Sequence, residues 1–485
     1  MKIFKGKNRK WVLLLGTLLL SGILLIIGIK YTDLPLSTIL RAPTMRMIFV
    51  FMLMLPVLLI AMLILSLVES KTTKVTVISC DNSSRVCGKI SASKPVENQS
   101  KREAGTENES VASTSEEGAE EAPNERGPRF CMLSRIDENR GRYEQKEFDA
   151  DISLQIFCER FRNYAADELK LYYDIKDIRR FIAGMAVSPI IILQGMSGTG
   201  KTSLAHALGS FLENTSTVIP VQPMWKERTD LLGYYNEFTK RFNETLLLEK
   251  MYEANYSKEI YVTVLDEMNI ARVEYYFAEF LSLLELPNVD ERYIDVVSDV
   301  WENDPVQLKD GRIKLPPNMW FIGTANNDDS TFAISDKVYD RAMILNLDEK
   351  SERFIAPKTK RIRMSAERFR ELVAEAMKEY EITKRNLKRL EELDRYLISH
   401  FHVTFGNRIM KQICQYVPVY VSCGGGELEA LDDILSKKII RKLETQNPVY
   451  LRSAAEGLCN YLDELFGVDR MALCKSAIRR LERNA

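Results

Sequence analysis

A glycine-rich turn between an apolar run and a helix-forming run carries residues suited to phosphate chemistry. The turn comprises Gly195, Met196, Ser197, Gly198, Thr199, Gly200, Lys201 and Thr202. Glycines let the backbone bend so closely that its N–H groups face phosphate oxygens. Lys201 would add a positive charge at the β- and γ-phosphates, and the Thr202 hydroxyl would be a ligand for Mg²⁺. A chance glycine turn stays an alternative until a second motif is found.

Two adjacent carboxylates supply that second motif. Asp266 and Glu267 directly follow the apolar run 260–265. At the carboxyl end of a strand beside the phosphate-binding loop, Asp266 would hold the hydration shell of Mg²⁺, and Glu267 would orient and polarise the attacking water. An Asp-Glu pair alone is a common loop start. Together with the complete loop, it indicates nucleotide hydrolysis.

Two further polar residues stand at the ends of apolar runs. Asn326 follows the run 319–324, so its amide could help to hold the attacking water between the acidic pair and the γ-phosphate. Arg341 precedes the last run, 342–347. An arginine at such an edge is usually part of a surface salt bridge. In a ring assembly it would reach the γ-phosphate bound by the neighbouring subunit. An arginine placed there stabilises the charge of the transition state and raises the hydrolysis rate by roughly 10³ to 10⁵.

The alternation of apolar and helix-forming runs predicts a doubly wound α/β sheet. Strands are expected at 190–193, 217–221, 261–265, 319–324 and 342–347, and helices at 203–212, 245–254 and 271–284. The turn 309–311 indicates a hairpin within an insertion. We therefore predict an α/β core at 189–350, a helical lead-in at 129–188 and a helical domain at 351–485.

The N-terminal part has a different composition. Uncharged apolar runs at about 11–29 and 47–68 follow a basic start, and each is long enough to predict a transmembrane helix. The basic N-terminus predicts a multi-pass cell-membrane protein with both termini, and the α/β core, in the cytoplasm. We expect a membrane anchor at 1–70, followed at 71–128 by a juxtamembrane segment and a disordered linker rich in Glu and Ser.

Composition excludes some classes of site. The formal net charge is −1, which is no sign of a general polycation for nucleic acid. The eight cysteines contain no C-x-x-C pair and the three histidines form no cluster, so nothing indicates a zinc site or a disulfide framework.

The order of these motifs resembles an AAA+ ATPase module, which has a P-loop αβα core and a C-terminal helical lid. The strings 265–277 and 323–331, and Trp225 with 230–235, are similar to the McrB-type, dynein-related branch. The resemblance extends over about 175–443. The string 325–329 departs from that branch and leaves Asp328 and Asp329 without an assigned role.

The resemblance implies a role for each site residue. Asp266 and Glu267 would be the Walker B pair, Asn326 sensor 1 and Arg341 the arginine finger. Arg408, in the string 405–408, is the candidate for sensor 2 in nucleotide binding. A surface charge at the start of a helix is the alternative for Arg408.

The resemblance also implies a general activity. The expected cofactors are ATP, or GTP, and Mg²⁺. We expect a homo-oligomeric, hexamer-type ring at the membrane that hydrolyses ATP to remodel an unidentified effector protein or nucleic acid. One alternative is a nucleotide-gated membrane scaffold or defence sensor with slow hydrolysis. Another is a McrB-like GTPase that works with a separate nuclease.

Overall fold

A computed structural model describes residues 128–144, 147–148, 152–326, 331–348 and 351–484 of the chain. The strands in these residues are β1 (Ile190–Gly195), β2 (Thr217–Pro220), β3 (Gly233–Asn236), β4 (Arg241–Glu244), β5 (Tyr261–Asp266), β6 (Tyr293–Asp295), β7 (Leu308–Lys309), β8 (Arg312–Lys314), β9 (Met319–Asn326) and β10 (Met343–Asn346).

The helices up to the last strand are α1 (Cys131–Glu138), α2 (Gly141–Glu144), α3 (Leu154–Asp167), α4 (Ile175–Val187), α5 (Lys201–Phe211), α6 (Thr229–Leu232), α7 (Leu246–Ala254), α8 (Val273–Tyr276), α9 (Ala278–Leu283) and α10 (Asp336–Arg341). Those after it are α11 (Ala366–Glu379), α12 (Lys384–Phe401), α13 (Gly406–Ser422), α14 (Glu427–Lys438), α15 (Pro448–Phe466) and α16 (Ala472–Asn484). Short 3₁₀ helices span Met268–Ile270, Val289–Glu291 and Ile440–Thr445.

Five strands form one parallel sheet in the order β10–β1–β9–β5–β2. Gly195 lies opposite Asn326 in the register of β1 and β9, and Leu265 lies opposite Gly323 in that of β5 and β9. The carboxyl ends of parallel strands share one edge of a sheet, so the glycine turn, the acidic pair and Asn326 all lie along that edge. The α/β part of the fold prediction is confirmed.

Both faces of the sheet are buried, and the side chains of its strands alternate between two apolar cores. Ile191 and Leu193 point into one core, while Ile190 and Ile192 point into the other. This period of two explains why β1 is a continuous apolar run: helices cover the sheet on both sides. Helices α3, α4 and α5 cover the first face, and α1 and α7 lie on the second.

Local capping fixes where several helices start. Asp174 accepts a hydrogen bond from the Lys176 N–H at 2.7 Å at the start of α4, and Thr245 accepts one from Leu248 at the start of α7. Helix α1 takes its cap from a distant residue, because the Glu244 carboxylate accepts from three successive N–H groups that begin at Cys131. The lead-in helices are therefore fastened to the α/β core.

The helices after β10 share the first core with α3, α4 and α5. A buried charge cluster joins α4 to α14: Arg180 Nε lies 2.9 Å from Asp433 Oδ1, and Lys437 Nζ lies 2.7 Å from the same oxygen. The Tyr416 hydroxyl donates to Asp433 Oδ2 at 2.7 Å. Several donors thus compensate the buried carboxylate, as burial of a charge requires.

The membrane part of the predicted fold class and location requires correction. No helix in the described residues is both long and apolar enough to cross a bilayer. The predicted spans 11–29 and 47–68, and the linker up to residue 127, lie outside those residues. The fold that the structure supports is an α/β core with helices after it, without the two transmembrane helices of the prediction.

Two local predictions also differ from the structure. The helix expected at 271–284 is interrupted: a 3₁₀ turn at Met268–Ile270 precedes α8, and a break at Phe277 separates α8 from α9. The antiparallel hairpin of β3 and β4 was not predicted. Its strands are only four residues each, too short for a clear alternating pattern.

Candidate functional site

The glycine turn wraps the end of β1 into the start of α5. Gly195, Gly198 and Gly200 have φ values of 147°, 80° and 94°, in the region that favours glycine. A Cβ on Gly195 would lie 2.3 Å from the Leu347 carbonyl oxygen, so the close approach to the chain after β10 also requires glycine. A Cβ on Gly198 would meet nothing within 4 Å, because the top of the turn faces open space.

Lys201 closes the turn from within. Its side chain is largely buried, and Nζ donates to the carbonyl oxygens of Gly195 at 3.0 Å and Met196 at 2.8 Å. The Tyr173 hydroxyl supports the turn from α4's side by donating to the Gly200 carbonyl at 3.0 Å. Burial raises the pKa of Tyr173, so it remains a neutral donor at physiological pH.

Asp266 receives two hydroxyl groups at the end of β5. Thr202 Oγ1, on the first turn of α5, donates to Asp266 Oδ1 at 2.7 Å. Thr324 Oγ1, on β9, donates to the same oxygen at 2.8 Å. The structure therefore brings together the two residues that the sequence assigns to Mg²⁺.

Glu267 has a strained backbone with φ of 51°, which is rare outside glycine. Its N–H donates to Thr324 Oγ1 at 2.8 Å, and the Asn326 amide donates to its Oε1 at 3.4 Å. Strain of this kind costs of order 1–3 kcal/mol and is concentrated at functional sites. The turn directs the carboxylate of Glu267 towards Asn326.

Asn269 fixes the strand end that carries Asn326. Its Nδ2 donates to the Asn326 carbonyl and to Thr331 Oγ1, each at 2.9 Å. The 3₁₀ turn after the acidic pair is thereby joined to the segment after β9. Asp328 and Asp329, which had no assigned role, lie outside the described residues.

Arg341 lies at the opposite edge of the sheet from the glycine turn of its own chain. Ser188 Oγ, just before β1, donates to the Arg341 carbonyl at 2.8 Å. Ser188 precedes β1 and Gly195 ends it, so the two points are separated by at least the length of this six-residue strand, about 17 Å. The structure therefore does not bring Arg341 together with Lys201, Asp266 and Glu267 within one subunit.

Glu285 pairs with both predicted arginines. Its Oε2 lies 2.9 Å from Arg341 Nε, and its Oε1 lies 2.9 Å from Arg408 Nη2. Arg408 is on the first turn of α13 and its side chain is half-exposed. These contacts put Arg408 beside Arg341, at the edge opposite to the turn.

Cations from the C-terminal helices hold the end of α10, which carries Arg341. The buried Lys438 Nζ donates to the carbonyl oxygens of Tyr339 at 2.7 Å and Ala342 at 2.5 Å. At the other end of α10, Arg441 Nη2 lies 2.6 Å from Oδ1 of Asp336, the first residue of the helix. Positive groups at the carboxyl end of a helix stabilise it through their charge and by hydrogen bonding to its last carbonyls.

The described residues fit a nucleotide with Mg²⁺. The top of the turn faces open space at Gly198, and the Lys201 ammonium lies inside the turn, an arrangement of N–H groups and positive charge that suits phosphate oxygens. Thr202 and Asp266 supply oxygen ligands, the type that Mg²⁺ prefers.

Sequence reasoning missed three residues that organise the site. Thr324 joins Asp266 to Glu267, Asn269 fixes the end of β9, and Glu285 holds two arginines. Thr324 lies two residues before Asn326 on the same strand, so its side chain points to the same face. That spacing was the available signal for Thr324. No comparable signal marks Glu285.

Two stretches of the chain match family models. Residues 190–342 match the AAA domain (dynein-related subfamily), and residues 358–485 match a domain of unknown function (DUF8727). A search of curated proteins finds no match. The match at 190–342 includes the glycine turn, the acidic pair, Asn326 and Arg341.

Two solved structures are similar to the chain at low identity. One is a candidate ATPase from Cytophaga hutchinsonii, with 14% identity, 72% of this chain and 98% of that chain covered, and a TM-score of 0.36. The other is a full-length MCM homolog from Methanopyrus kandleri, with 12% identity, coverage of 57% and 58%, and a TM-score of 0.32. Scores this low add no argument to the family match.

Proposed function

We propose that this chain, an AAA+ ATPase by its domain at 190–342, binds ATP with Mg²⁺ and hydrolyses it in a ring-forming oligomer. The work of the ring would be to remodel a partner protein or nucleic acid. ATP is preferred over GTP as the default of the wider superfamily, and the strings 265–277 and 323–331 resemble the McrB-type branch.

One network of hydrogen bonds supports the proposal. Thr202 donates to Asp266, and Thr324 donates to Asp266 and accepts from the Glu267 N–H. The Asn326 amide donates to the Glu267 carboxylate. The network links the first turn of α5 to the ends of β5 and β9, so three elements hold one constellation. Such preorganised polar groups are what phosphoryl transfer needs, because positioning and charge stabilisation supply most of its catalysis.

Each residue has a role that follows from its contacts. The N–H groups of the turn and Lys201 would bind the phosphates, and Thr202 and Asp266 would hold Mg²⁺, directly and through water. When bound, Mg²⁺ would neutralise part of the negative charge of the phosphates. Glu267 would orient a water molecule and accept its proton, and Asn326 would hold the Glu267 carboxylate and the water in line.

The position of Arg341 supports the proposed oligomer. It is separated from its own glycine turn by the length of β1, so it can assist catalysis only at another subunit's nucleotide. A head-to-tail arrangement in which each Arg341 faces the next turn generates a closed ring if the rotation closes.

Replacing Glu267 by Gln tests the assignment of catalysis. We expect ATP binding to be retained and turnover to fall by at least about 10², since a general base contributes that much. Binding would be measured by equilibrium dialysis with labelled ATP, and turnover by phosphate release. Glu456→Gln, on the exposed face of α15, is the matched control and should leave both unchanged.

Three results of that experiment would count against the proposal. Wild-type turnover in Glu267→Gln would exclude Glu267 as the base. Absence of ATP binding in the wild type would exclude the site. ATP-dependent assembly with negligible wild-type turnover would favour the nucleotide-gated scaffold.

A further inference from the structure

A cleft of about 350 Å³ lies at the edge of the sheet opposite to the glycine turn. Its walls are the end of α7, the hairpin of β7 and β8, the turn before β9 and the start of α11. Lys258 precedes β5 and Pro317 precedes β9, so the cleft faces the edge where the strands begin. It is therefore separate from the nucleotide site. We name it the basic cleft.

Positive charge exceeds negative charge in the basic cleft. Four cations line it, and Glu367 is the one carboxylate among its described lining residues. The cations are Lys258, Lys309, Lys314 and Arg370. Lys258 pairs with Glu367 at 3.4 Å, and Lys314 pairs with Asp290, outside the lining, at 2.6 Å. Two carboxylates thus oppose four cations.

The remaining two cations form no ion pair in the part of the chain that the structure describes, although the charge of Glu367 acts on Arg370. Arg370 Nη2 donates to the Pro317 carbonyl at 2.6 Å, which orients the guanidinium without neutralising it. Lys309 has no ion pair within the described ranges. Partial burial lowers the pKa of Arg370; burial and the charge of Arg370 lower that of neighbouring Arg292. The cleft is thus an electropositive site.

The fold holds Lys309 at this position. It is the last residue of β7, and the turn that follows has Asp310 and Gly311 at φ of 53° and 72°. Two residues with positive φ make the tight turn that matches the twist of a hairpin. Lys309 and Lys314 are therefore carried by one rigid hairpin, opposite Arg370 on α11. Tyr293, on β6, adds a neutral polar side chain to the lining.

We propose that the basic cleft binds a small phosphate-bearing anion. Lysine and arginine side chains on facing walls suit phosphate oxygens, which accept charge-assisted hydrogen bonds from several directions. The volume is near the lower end for small-molecule sites and suits one or two phosphate groups with a compact substituent. The site does not depend on the proposed ATPase activity.

Titration calorimetry with inorganic pyrophosphate tests the proposal. The full chain would be saturated with ADP and Mg²⁺ to occupy the glycine turn, and the titration repeated in Lys201→Ala. We expect one pyrophosphate per chain, bound more weakly as KCl is raised. The double variant Lys309→Ala, Lys314→Ala should weaken binding by at least about tenfold, because each lost charge-assisted hydrogen bond is worth that much.

A matched control separates the cleft from general surface charge. Lys384→Ala with Lys388→Ala removes the same charge from exposed positions of α12 and should leave binding unchanged. Equal melting temperatures would show that both double variants are folded. Three results would overturn the proposal: no binding of pyrophosphate by the wild type, equal weakening by both double variants, or cleft-dependent binding of a hexaglutamate peptide without binding of pyrophosphate.

Discussion

Thr324 does more than any other missed residue to organise the acidic pair. Its buried hydroxyl donates to Asp266 Oδ1 and accepts from the Glu267 N–H, so it fixes the spacing between them. Thr324 thus pairs with the N–H of a residue whose backbone is in the left-handed region. The geometry of the acidic pair therefore depends on an uncharged residue, Thr324.

Replacing Thr324 by Val would keep the shape and remove the hydroxyl. We expect a loss of about 0.5–1.5 kcal/mol in the free energy of unfolding for each hydrogen bond removed, because the Glu267 N–H loses its acceptor and Asp266 loses a donor. Turnover should fall by about tenfold or more, since Asp266 and Glu267 lose a shared support. Thr324→Ser keeps the hydroxyl and is the matched control. Equal turnover of the Val and Ser variants would contradict this role.

At the scale of elements, α10 is held by the C-terminal helices and not by the sheet alone. Lys438 donates to the carbonyls that end α10, Gln412 donates to the Asp340 carbonyl at 3.1 Å, and Arg441 pairs with Asp336. The helix that carries Arg341 is only six residues long, so it needs such support. The C-terminal helices thereby set the position of Arg341.

Lys438 gives this support a dependence on pH. Burial, with smaller effects from the cations Arg441, Lys442 and Arg408, lowers the pKa of Lys438 to about 7, and Asp340 opposes the shift. An unfolded lysine keeps its proton up to about pH 10.4. Between these values the unfolded chain binds more protons than the folded chain, so this group makes stability rise with pH.

The Lys438→Met variant should lose that dependence. From pH 7 to 9 the wild type should gain about 2 kcal/mol relative to the variant from this group. Melting temperatures of both proteins at several pH values in this interval would measure the difference. Parallel profiles would show that Lys438 does not titrate there. Lys411→Met, at an exposed position of α13, controls for loss of a lysine.

The sequence could predict those parts of the site that depend on strand ends. Asp266 and Asn326 follow long apolar runs, so the sheet alone brings them to the edge that holds Lys201. The sequence could not predict the role of Glu285, because Glu285 pairs with Arg341 and Arg408, which lie on elements distant along the chain. The break at Phe277 could not be predicted either, because the residue types on both sides of it are compatible with one continuous helix.

At the scale of the whole molecule, the proposed catalytic role of Arg341 needs a second subunit, because Arg341 lies far from the glycine turn of its own chain. Arg341→Ala should therefore form an oligomer with little turnover. Its fold should survive, because Glu285 keeps Arg408 as a partner.

Mixing two inactive variants tests this arrangement. Glu267→Gln subunits retain Arg341, and Arg341→Ala subunits retain Glu267, so a mixed ring contains some complete sites. Equal amounts should recover about one quarter of wild-type turnover if subunits mix at random in a head-to-tail ring. Phosphate release from the mixture would be compared with that from each variant alone. No recovery from rings shown to be mixed would contradict action between subunits.

The first apolar core joins α5, inside the match at 190–342, to α13 and α14, inside the match at 358–485, and α4, which precedes the first match, belongs to the same core. The buried ion pair of Arg180 and Asp433 also joins α4 to α14. We therefore expect that the C-terminal helices cannot be replaced by those of a distant relative unless the residues of α4 that contact them are changed as well. Chimeras between relatives should fold only when α4 is transferred together with the C-terminal helices that it contacts.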